Sequence, residues 1–198
     1  MRSLKKKSLL LINGIGLPTS ILGELLSGSS SDSNFYLSYP LGVLTLAGWC
    51  RQEFPNFDIQ IIDMAMDLHK HLTQSQKPPL SITGFIEKCL KQVQCAPDFI
   101  GISFSFSNGH QTCWKLAEYC KKKWPDSLII AGGVHATTFT PRLIEDEHID
   151  VVIRGAGDVA FIELLDHVLT GRNPSNIPGV VTSMANLTSI AAPLNDLD

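Results

Sequence analysis

The chain has 198 residues, of which 44% are hydrophobic and 18% are charged, and its formal net charge is −3 at pH 7. This composition predicts a folded domain with a substantial core and excludes a disordered chain. The negative balance argues against a surface that binds nucleic acid, and no stretch approaches the roughly 18 apolar residues of a membrane span.

Cysteine usage and the amino terminus indicate the compartment. The five cysteines, at positions 50, 89, 95, 113 and 120, form no C-x-x-C pair. We therefore expect reduced, mostly buried thiols in a cytoplasmic protein rather than disulfides or a metal cluster. The first residues have a basic start but lack the apolar region and cleavage site of a signal peptide, so they predict a first strand.

Short runs of valine, isoleucine and leucine recur along the chain, separated by amphipathic stretches. Near-continuous apolar strands are typical of a parallel sheet that helices cover on both faces. With right-handed crossovers, the pattern predicts an α/β fold with a doubly wound, five-stranded parallel sheet in the flavodoxin-like order 2-1-3-4-5. The five strands are predicted at residues 8–12, 58–62, 98–102, 127–131 and 150–153.

Helix signals occupy the connections between these strands. Pro40 begins a helix that places Leu41 and Leu44 on one face, and Ser81 is a predicted N-cap for a helix extending to about residue 94. Three further helices are predicted at residues 110–123, 140–147 and 157–171, and two polar connections at residues 13–38 and 64–79.

The C-terminal part predicts a domain boundary. Residues 180–183 and 187–190 are typical of two strands joined in a β-hairpin that spans residues 179–191. The domain is therefore expected to cover residues 1–184. The polar tail at residues 192–198 is expected to be a linker toward a missing downstream domain.

The carboxyl ends of the predicted strands are rich in glycine and serine. A parallel sheet gathers these ends at one edge, where open α/β sheets bind ligands. Glycine lets a backbone approach a ligand closely, and serine hydroxyls both donate and accept hydrogen bonds. The edge is therefore predicted to hold a large, flat, polar-rimmed molecule. The ends in question are residues 13–16, 63, 103–108, 132–136 and 154–158.

Several familiar sites are missing from the sequence. Gly14 and Gly16 start a dinucleotide fingerprint that lacks its third glycine, and Pro18 interrupts the helix entry. Neither a G-x-x-x-x-G-K-S/T loop nor a G-x-S-x-G elbow occurs, which excludes P-loop chemistry and elbow-type acyl hydrolysis. A phospho-receiver domain would carry acidic residues where Asn13 and Ser103 stand.

In their order and spacing, these motifs resemble the cobalamin (vitamin B12)-binding domain that precedes the catalytic domain in many radical S-adenosylmethionine enzymes. The resemblance covers residues 7–184, and its last motif departs from the family's G-E-G-E-like pattern at Ala156 and Asp158. Asp158 keeps a carboxylate in the first helical turn. The matching segments are residues 39–47 (YPLGVLTLA), 63, 97–103 (PDFIGIS), 132–137 (GGVHAT) and 154–158 (RGAGD).

The resemblance implies roles for the matching positions. Ser103 and Ser105 would line a cleft for the dimethylbenzimidazole tail of the cofactor. Gly132 and Gly133 would pass close to that tail. The residues near the lower face of the corrin ring would be Phe104, Phe106, Ser107 and Asn108. The residues bordering the tail or the ring edge would be Val134, His135, Gly155 and Gly157, and Asp158 is a further expected cofactor-binding residue.

The resemblance also bears on the chemistry. Older cobalamin enzymes carry D-x-H-x-x-G after the first strand, and its histidine binds cobalt from below, but residues 13–18 contain no histidine. This implies base-off cobalamin without a histidine lower ligand from this domain, with His135 as a turn or tail contact. The chain has no C-x-x-x-C-x-x-C triplet. S-adenosylmethionine and a 4Fe–4S cluster would therefore belong to a missing radical domain in cis, where methyl transfer is expected, and no catalysis is expected from this chain alone.

Two other functions remain open from the residues themselves. The same crevice could belong to a flavodoxin-like protein that binds a flavin or nucleotide, with residues 103–108 cradling a phosphate. A degenerate domain could instead only mediate protein contacts through an exposed apolar patch.

Overall fold

The sheet contains six strands, seen in a computed structural model that describes residues 6–30, 39–187 and 191. The strands are β1 (Ser8–Asn13), β2 (Asp58–Asp63), β3 (Phe99–Ser103), β4 (Leu128–Gly132), β5 (Val151–Ile153) and β6 (Val180–Val181). Five of them run parallel in the order β2-β1-β3-β4-β5, which confirms the predicted arrangement. β6 extends the sheet by pairing antiparallel with β5.

Helices lie on both faces of this sheet. They are α1 (Thr19–Ser27), α2 (Leu41–Glu53), α3 (Met64–Leu72), α4 (Ile82–Leu90), α5 (His110–Lys123), α6 (Val134–Thr138), α7 (Thr140–Ile144) and α8 (Gly157–Thr170). α1 and α3 lie in segments that the sequence predicted as polar connections. His69 and Lys70 of α3 are exposed, whereas Met64, Leu68 and His71 are buried, so its amphipathic pattern was hidden by a high polar content that includes a buried histidine.

The core consists of two apolar layers because successive strand residues point to opposite faces. In β1, Leu10 and Ile12 face the layer under α1, α4 and α5, whereas Leu9 and Leu11 face the layer under α2 and α8. All four side chains are buried. The near-continuous apolar sequence of the strand is thus explained by burial on both sides.

α2 buries a different stripe from the one that its sequence predicted. Leu41 and Leu44 are exposed, whereas Val43, Ala47 and Cys50 pack into the core. Both stripes have helical spacing and are apolar, so periodicity alone does not decide between them. The consequence is an exposed apolar start of α2.

The C-terminal segment differs from the predicted hairpin. Val180 and Val181 do form a strand, but their partners are Ile153 and Val152 of β5. The predicted turn lies in a 3-10 helix (Met184–Asn186), which a capping box at its start stabilises. Residues 188–190 of the second predicted strand and the predicted linker at 192–198 lie outside the described residues.

The five cysteines are free thiols, and four of them are buried. Burial raises the pKa to about 12 for Cys50, Cys89, Cys113 and Cys120. These thiols are therefore protonated and unreactive at neutral pH. Among the described residues, no helix has the length and apolar character needed to cross a membrane.

Asp63 joins the ends of β1 and β2 to the start of α3. Its Oδ1 accepts hydrogen bonds from the amides of Ala65 (3.1 Å) and Met66 (3.3 Å). The same atom accepts a hydrogen bond from Nδ2 of Asn13, at 3.0 Å. One carboxylate thus caps a helix and holds two adjacent strand ends.

We expect Asp63→Ala to lower the free energy of unfolding by about 1–2 kcal/mol, because it removes an N-cap and leaves the Asn13 amide without this partner. Urea denaturation followed by circular dichroism measures the change. Asp126→Ala, in the exposed turn before β4, is the control and should stay within about 0.5 kcal/mol of the wild type. Equal losses in both variants would show that Asp63 has no special role.

Candidate ligand-binding cleft

A cleft of about 270 Å³ opens at the carboxyl edge of the sheet, on the face covered by α2 and α8. Its floor is formed by one face of four neighbouring strands. The floor residues are Leu11 in β1, Gly101 in β3, Ile130 in β4 and Ile153 in β5. The walls come from α2 and α8, which contribute Gly42, Val43, Leu46, Gly157, Asp158 and Phe161.

Two strand glycines shape the cleft in different ways. A Cβ on Gly101 would lie 2.7 Å from Cδ2 of Leu11 and 3.4 Å from Cε2 of Phe161, so this glycine makes room for its neighbours. A Cβ on Gly132 would meet nothing within 4 Å. Gly132 lies on the same strand face as Ile130 and lines the cleft, so its missing side chain leaves space for a ligand.

The backbone at the rim is fixed by a close approach of two loops. The amide of Phe104 donates to the carbonyl of Gly132 (2.7 Å), and the carbonyl of Phe104 accepts from the amide of His135 (3.0 Å). Gly133 has a φ of 104°, and a Cβ there would lie 2.8 Å from the Phe104 carbonyl oxygen. Glycine at 133 is therefore required by both conformation and space.

Ser103 and Ser105 supply the hydroxyls of the cleft. Their Oγ atoms are 2.7 Å apart, so one hydroxyl donates to the other. The accepting hydroxyl keeps its own proton, which is available to a ligand. Asp158 adds a carboxylate in the first turn of α8.

The structure brings most of the predicted site residues to this cleft. Those that line it are Ser103, Ser105, Gly132, Gly133, Val134, Gly155, Gly157 and Asp158. Phe106, Ser107 and Asn108 are exposed at the same edge of the sheet, outside the cleft. Phe104 differs from them, because its side chain is 1% exposed in the core and it meets the edge through its backbone.

His135 lies apart from the cleft, in a second cavity of about 550 Å³. Its Nδ1 is 3.0 Å from Oγ of Ser107, and its Nε2 is 2.6 Å from Nδ1 of His110. The ring of Phe139 stacks on the imidazole with centroids 4.3 Å apart. Both ring nitrogens of His135 are therefore occupied within the protein, and the side chain is 4% exposed.

Burial governs the protonation of this histidine pair. Desolvation lowers the pKa of His135, and the neighbouring His110 lowers it further. Desolvation also lowers the pKa of His110, with a second contribution from the charge of Arg142. The lowered pKa values favour neutral imidazoles at neutral pH, and the 2.6 Å contact, which has room for one proton, excludes protonation of both rings together.

The wall residues of α2 were missed from the sequence, as were Phe161 of α8 and Gly101, whereas Gly157 and Asp158 of α8 were predicted. A usable signal existed for the floor: in a strand, residues two apart share a face, so Ser103 predicts Gly101 and Gly132 predicts Ile130. No comparable signal identified the wall residues of α2, because the two apolar stripes of this helix have the same spacing.

The histidine pair predicts a pH dependence of stability. An unfolded histidine titrates near pH 6.5, above the lowered pKa values of folded His110 and His135. The unfolded chain therefore binds more protons as the pH falls through that value, and the free energy of unfolding should decrease between pH 7.5 and about pH 5. Urea denaturation across this range should show a smaller decrease for the double variant His110→Asn/His135→Asn. The same decrease in both proteins would contradict the assignment.

Residues 35–165 match the B12 binding domain family. The chain therefore belongs to the B12-binding domain family, as the motif order predicted.

It is 34% identical over 143 residues to the uncharacterized methyltransferase PH0819 of Pyrococcus horikoshii, covering 71% of this chain and 27% of that protein. It is 33% identical over 86 residues to the cobalamin-dependent radical SAM methyltransferase TokK of Streptomyces tokunonensis, covering 42% of this chain and 12% of TokK. The chain thus spans about a quarter or less of the length of these relatives.

Solved structures show the same fold. The radical S-adenosylmethionine methyltransferase TsrM of Kitasatospora setae, with cobalamin and an iron–sulfur cluster bound, aligns with a TM-score of 0.62 at 15% identity. That alignment covers 89% of this chain and 27% of TsrM. The cobalamin-dependent radical enzyme OxsB, with aqua-cobalamin and S-adenosylmethionine bound, aligns with a TM-score of 0.62 at 15% identity over 97% of this chain and 23% of OxsB. The chain is a cobalamin-binding domain related to cobalamin-dependent radical methyltransferases.

Proposed function

We propose that this chain binds cobalamin at the carboxyl edge of its sheet and is the cofactor module of a cobalamin-dependent radical S-adenosylmethionine methyltransferase. The observation that supports the proposal is an apolar cleft at the strand ends of a chain that belongs to the B12-binding family. Gly101 and Gly132, which have no side chains, line this cleft. The space that Gly132 leaves open fits a buried group of the cofactor.

The cleft suits the dimethylbenzimidazole tail. Hydrocarbon side chains such as Leu11, Ile130 and Phe161 form its interior, and they match a flat aromatic base. The free hydroxyl proton of the Ser103–Ser105 pair would satisfy a ring nitrogen. Gly132 and Gly133 would let the backbone approach the tail closely.

The rim suits the corrin ring. Leu41 is 70% exposed, Phe106 54% and Val134 75%, although all three are large apolar side chains. Exposed apolar groups around a cleft are typical of a binding surface. Covering them with the ring would add hydrophobic stabilisation to the contacts in the cleft.

We further propose that cobalamin binds base-off, without a histidine from this domain on its cobalt. A D-x-H-x-x-G motif that started at Asn13, the last residue of β1, would place its histidine at Ile15, which is 2% exposed and packs in the core. His135 is the histidine nearest in sequence to the cleft glycines, but Ser107 and His110 engage both of its ring nitrogens. A role for His135 in holding the loop after β3 fits these contacts better than cobalt ligation.

When bound, cobalamin would supply a cobalt centre for methyl transfer. The residues of this chain bind the cofactor, fix its orientation and exclude water from its tail. S-adenosylmethionine and an iron–sulfur cluster would be held by a radical domain in cis. TsrM, which is a radical S-adenosylmethionine methyltransferase with such a cluster bound, and the radical SAM methyltransferase TokK support this expectation.

The binding proposal is tested with Gly132→Val. The new side chain enters open space, so the variant should fold, but it should fill the cleft and weaken hydroxocobalamin binding by about ten-fold or more. Absorbance titration and colour retention after desalting measure this. Gly48→Ala, on the exposed face of α2, is the control and should bind like the wild type.

Two results would overturn the binding proposal. The first is a wild-type protein that shows no spectral change and stays colourless. The second is a folded Gly132→Val protein with undiminished affinity, which would move the ligand away from this cleft. Retention of flavin mononucleotide in place of cobalamin would favour a flavodoxin-like function.

The proposed coordination is tested by electron paramagnetic resonance of the bound cofactor, reduced to cobalt(II). An axial nitrogen ligand splits the cobalt lines, so we expect the wild type to lack the nitrogen splitting that free cobalamin shows. Splitting that disappears in His135→Phe would identify a histidine ligand and contradict the proposal. Splitting that persists in that variant would contradict the base-off state.

A further inference from the structure

We propose that the cleft selects among cobamides by the chemistry of their lower base, accepting benzimidazole and phenolic bases and disfavouring purines. This inference rests on the proposed function, because it assumes that the tail enters the cleft. The observation that carries it is a shortage of side-chain hydrogen-bond donors among the described residues that line an otherwise apolar cavity.

The polar side chains among the described residues that line the cleft are few. They are Ser103, Ser105 and Asp158; the remaining lining residues are glycines and hydrocarbon side chains. The hydrogen bond between Ser103 and Ser105 consumes one of the two hydroxyl protons. Asp158, as a carboxylate, accepts hydrogen bonds and donates none. The side chains of these described lining residues therefore offer a ligand one donor.

Backbone groups at the rim are also engaged inside the protein. The carbonyl of Gly132 accepts from Phe104, and the amide of Gly155 donates to Oγ1 of Thr137 at 2.9 Å. The carbonyl of Gly133 accepts from the amide and the hydroxyl of Thr137. These contacts occupy one amide donor and two carbonyl acceptors of the rim, so these three groups are not open to a polar base.

The lower bases differ in what they require. Dimethylbenzimidazole detached from cobalt has one free ring nitrogen, which matches one available donor. A phenolic base such as cresol has no ring nitrogen. Adenine has three free ring nitrogens and an amino group. Asp158 could accept from the amino group, but one side-chain donor serves one ring nitrogen, so the other two would be buried without a described side-chain partner, which weakens binding. Adenine and benzimidazole are similar in size, so polarity and not volume makes the distinction.

The test compares the dissociation constants of three purified cobamides for the wild-type chain, by absorbance titration. Cobalamin and cresolylcobamide should bind within a few-fold of each other, and adeninylcobamide should bind about ten-fold or more weakly. Equal affinity for all three, or preference for adenine, would overturn the selectivity while leaving the proposed function intact. Failure of all three to bind would instead overturn the proposed function.

A double variant isolates the donor. Ser103→Ala/Ser105→Ala removes the free hydroxyl proton, so it should weaken cobalamin binding by about three- to ten-fold while leaving cresolylcobamide unchanged. Ser29→Ala, an exposed serine after α1, is the control. Equal losses for both cobamides would contradict a hydrogen bond to the ring nitrogen. Circular dichroism of the double variant confirms that the fold is kept.

Discussion

The carboxyl edge of the sheet depends on the close approach of the segment after β3 to the segment after β4. Phe104 makes this contact through its backbone, between the Gly132 carbonyl and the His135 amide, while its ring anchors the segment in the core. Gly133 has a positive φ and no side chain, so the segment after β4 can approach the segment after β3 closely.

The contact divides the edge into two regions of different character. On the α2 and α8 side, Ser103 and Gly132 border an apolar cleft with open space. On the opposite side, His135 is packed against Phe139 and held by hydrogen bonds to Ser107 and His110. One region is therefore available to a ligand, and the other fixes the loop that borders it.

The sequence predicted the strands, their order and the strand-end residues, because buried parallel strands and glycine-rich ends give strong local signals. It missed α3, since the Asp63 carboxylate that ends β2 also caps a helix with a largely polar sequence. It chose the wrong stripe of α2, since Leu41 and Leu44 have the same spacing and polarity as the buried residues. Which stripe of α2 is buried depends on tertiary packing. The residues that α2 contributes to the wall of the cleft depend on the same packing.

Gly101 and Gly132 have a consequence for folding as well as for space. Glycine inside a strand destabilises it by roughly 0.5–1 kcal/mol relative to alanine, through the extra freedom of the unfolded chain. The domain therefore gives up stability in β4 at Gly132, where the missing side chain leaves the cleft open, whereas the space at Gly101 is filled by Leu11 and Phe161. A ligand that occupied the cleft would return that stability by mass action, so the amount of folded protein in a cell would follow the supply of its cofactor.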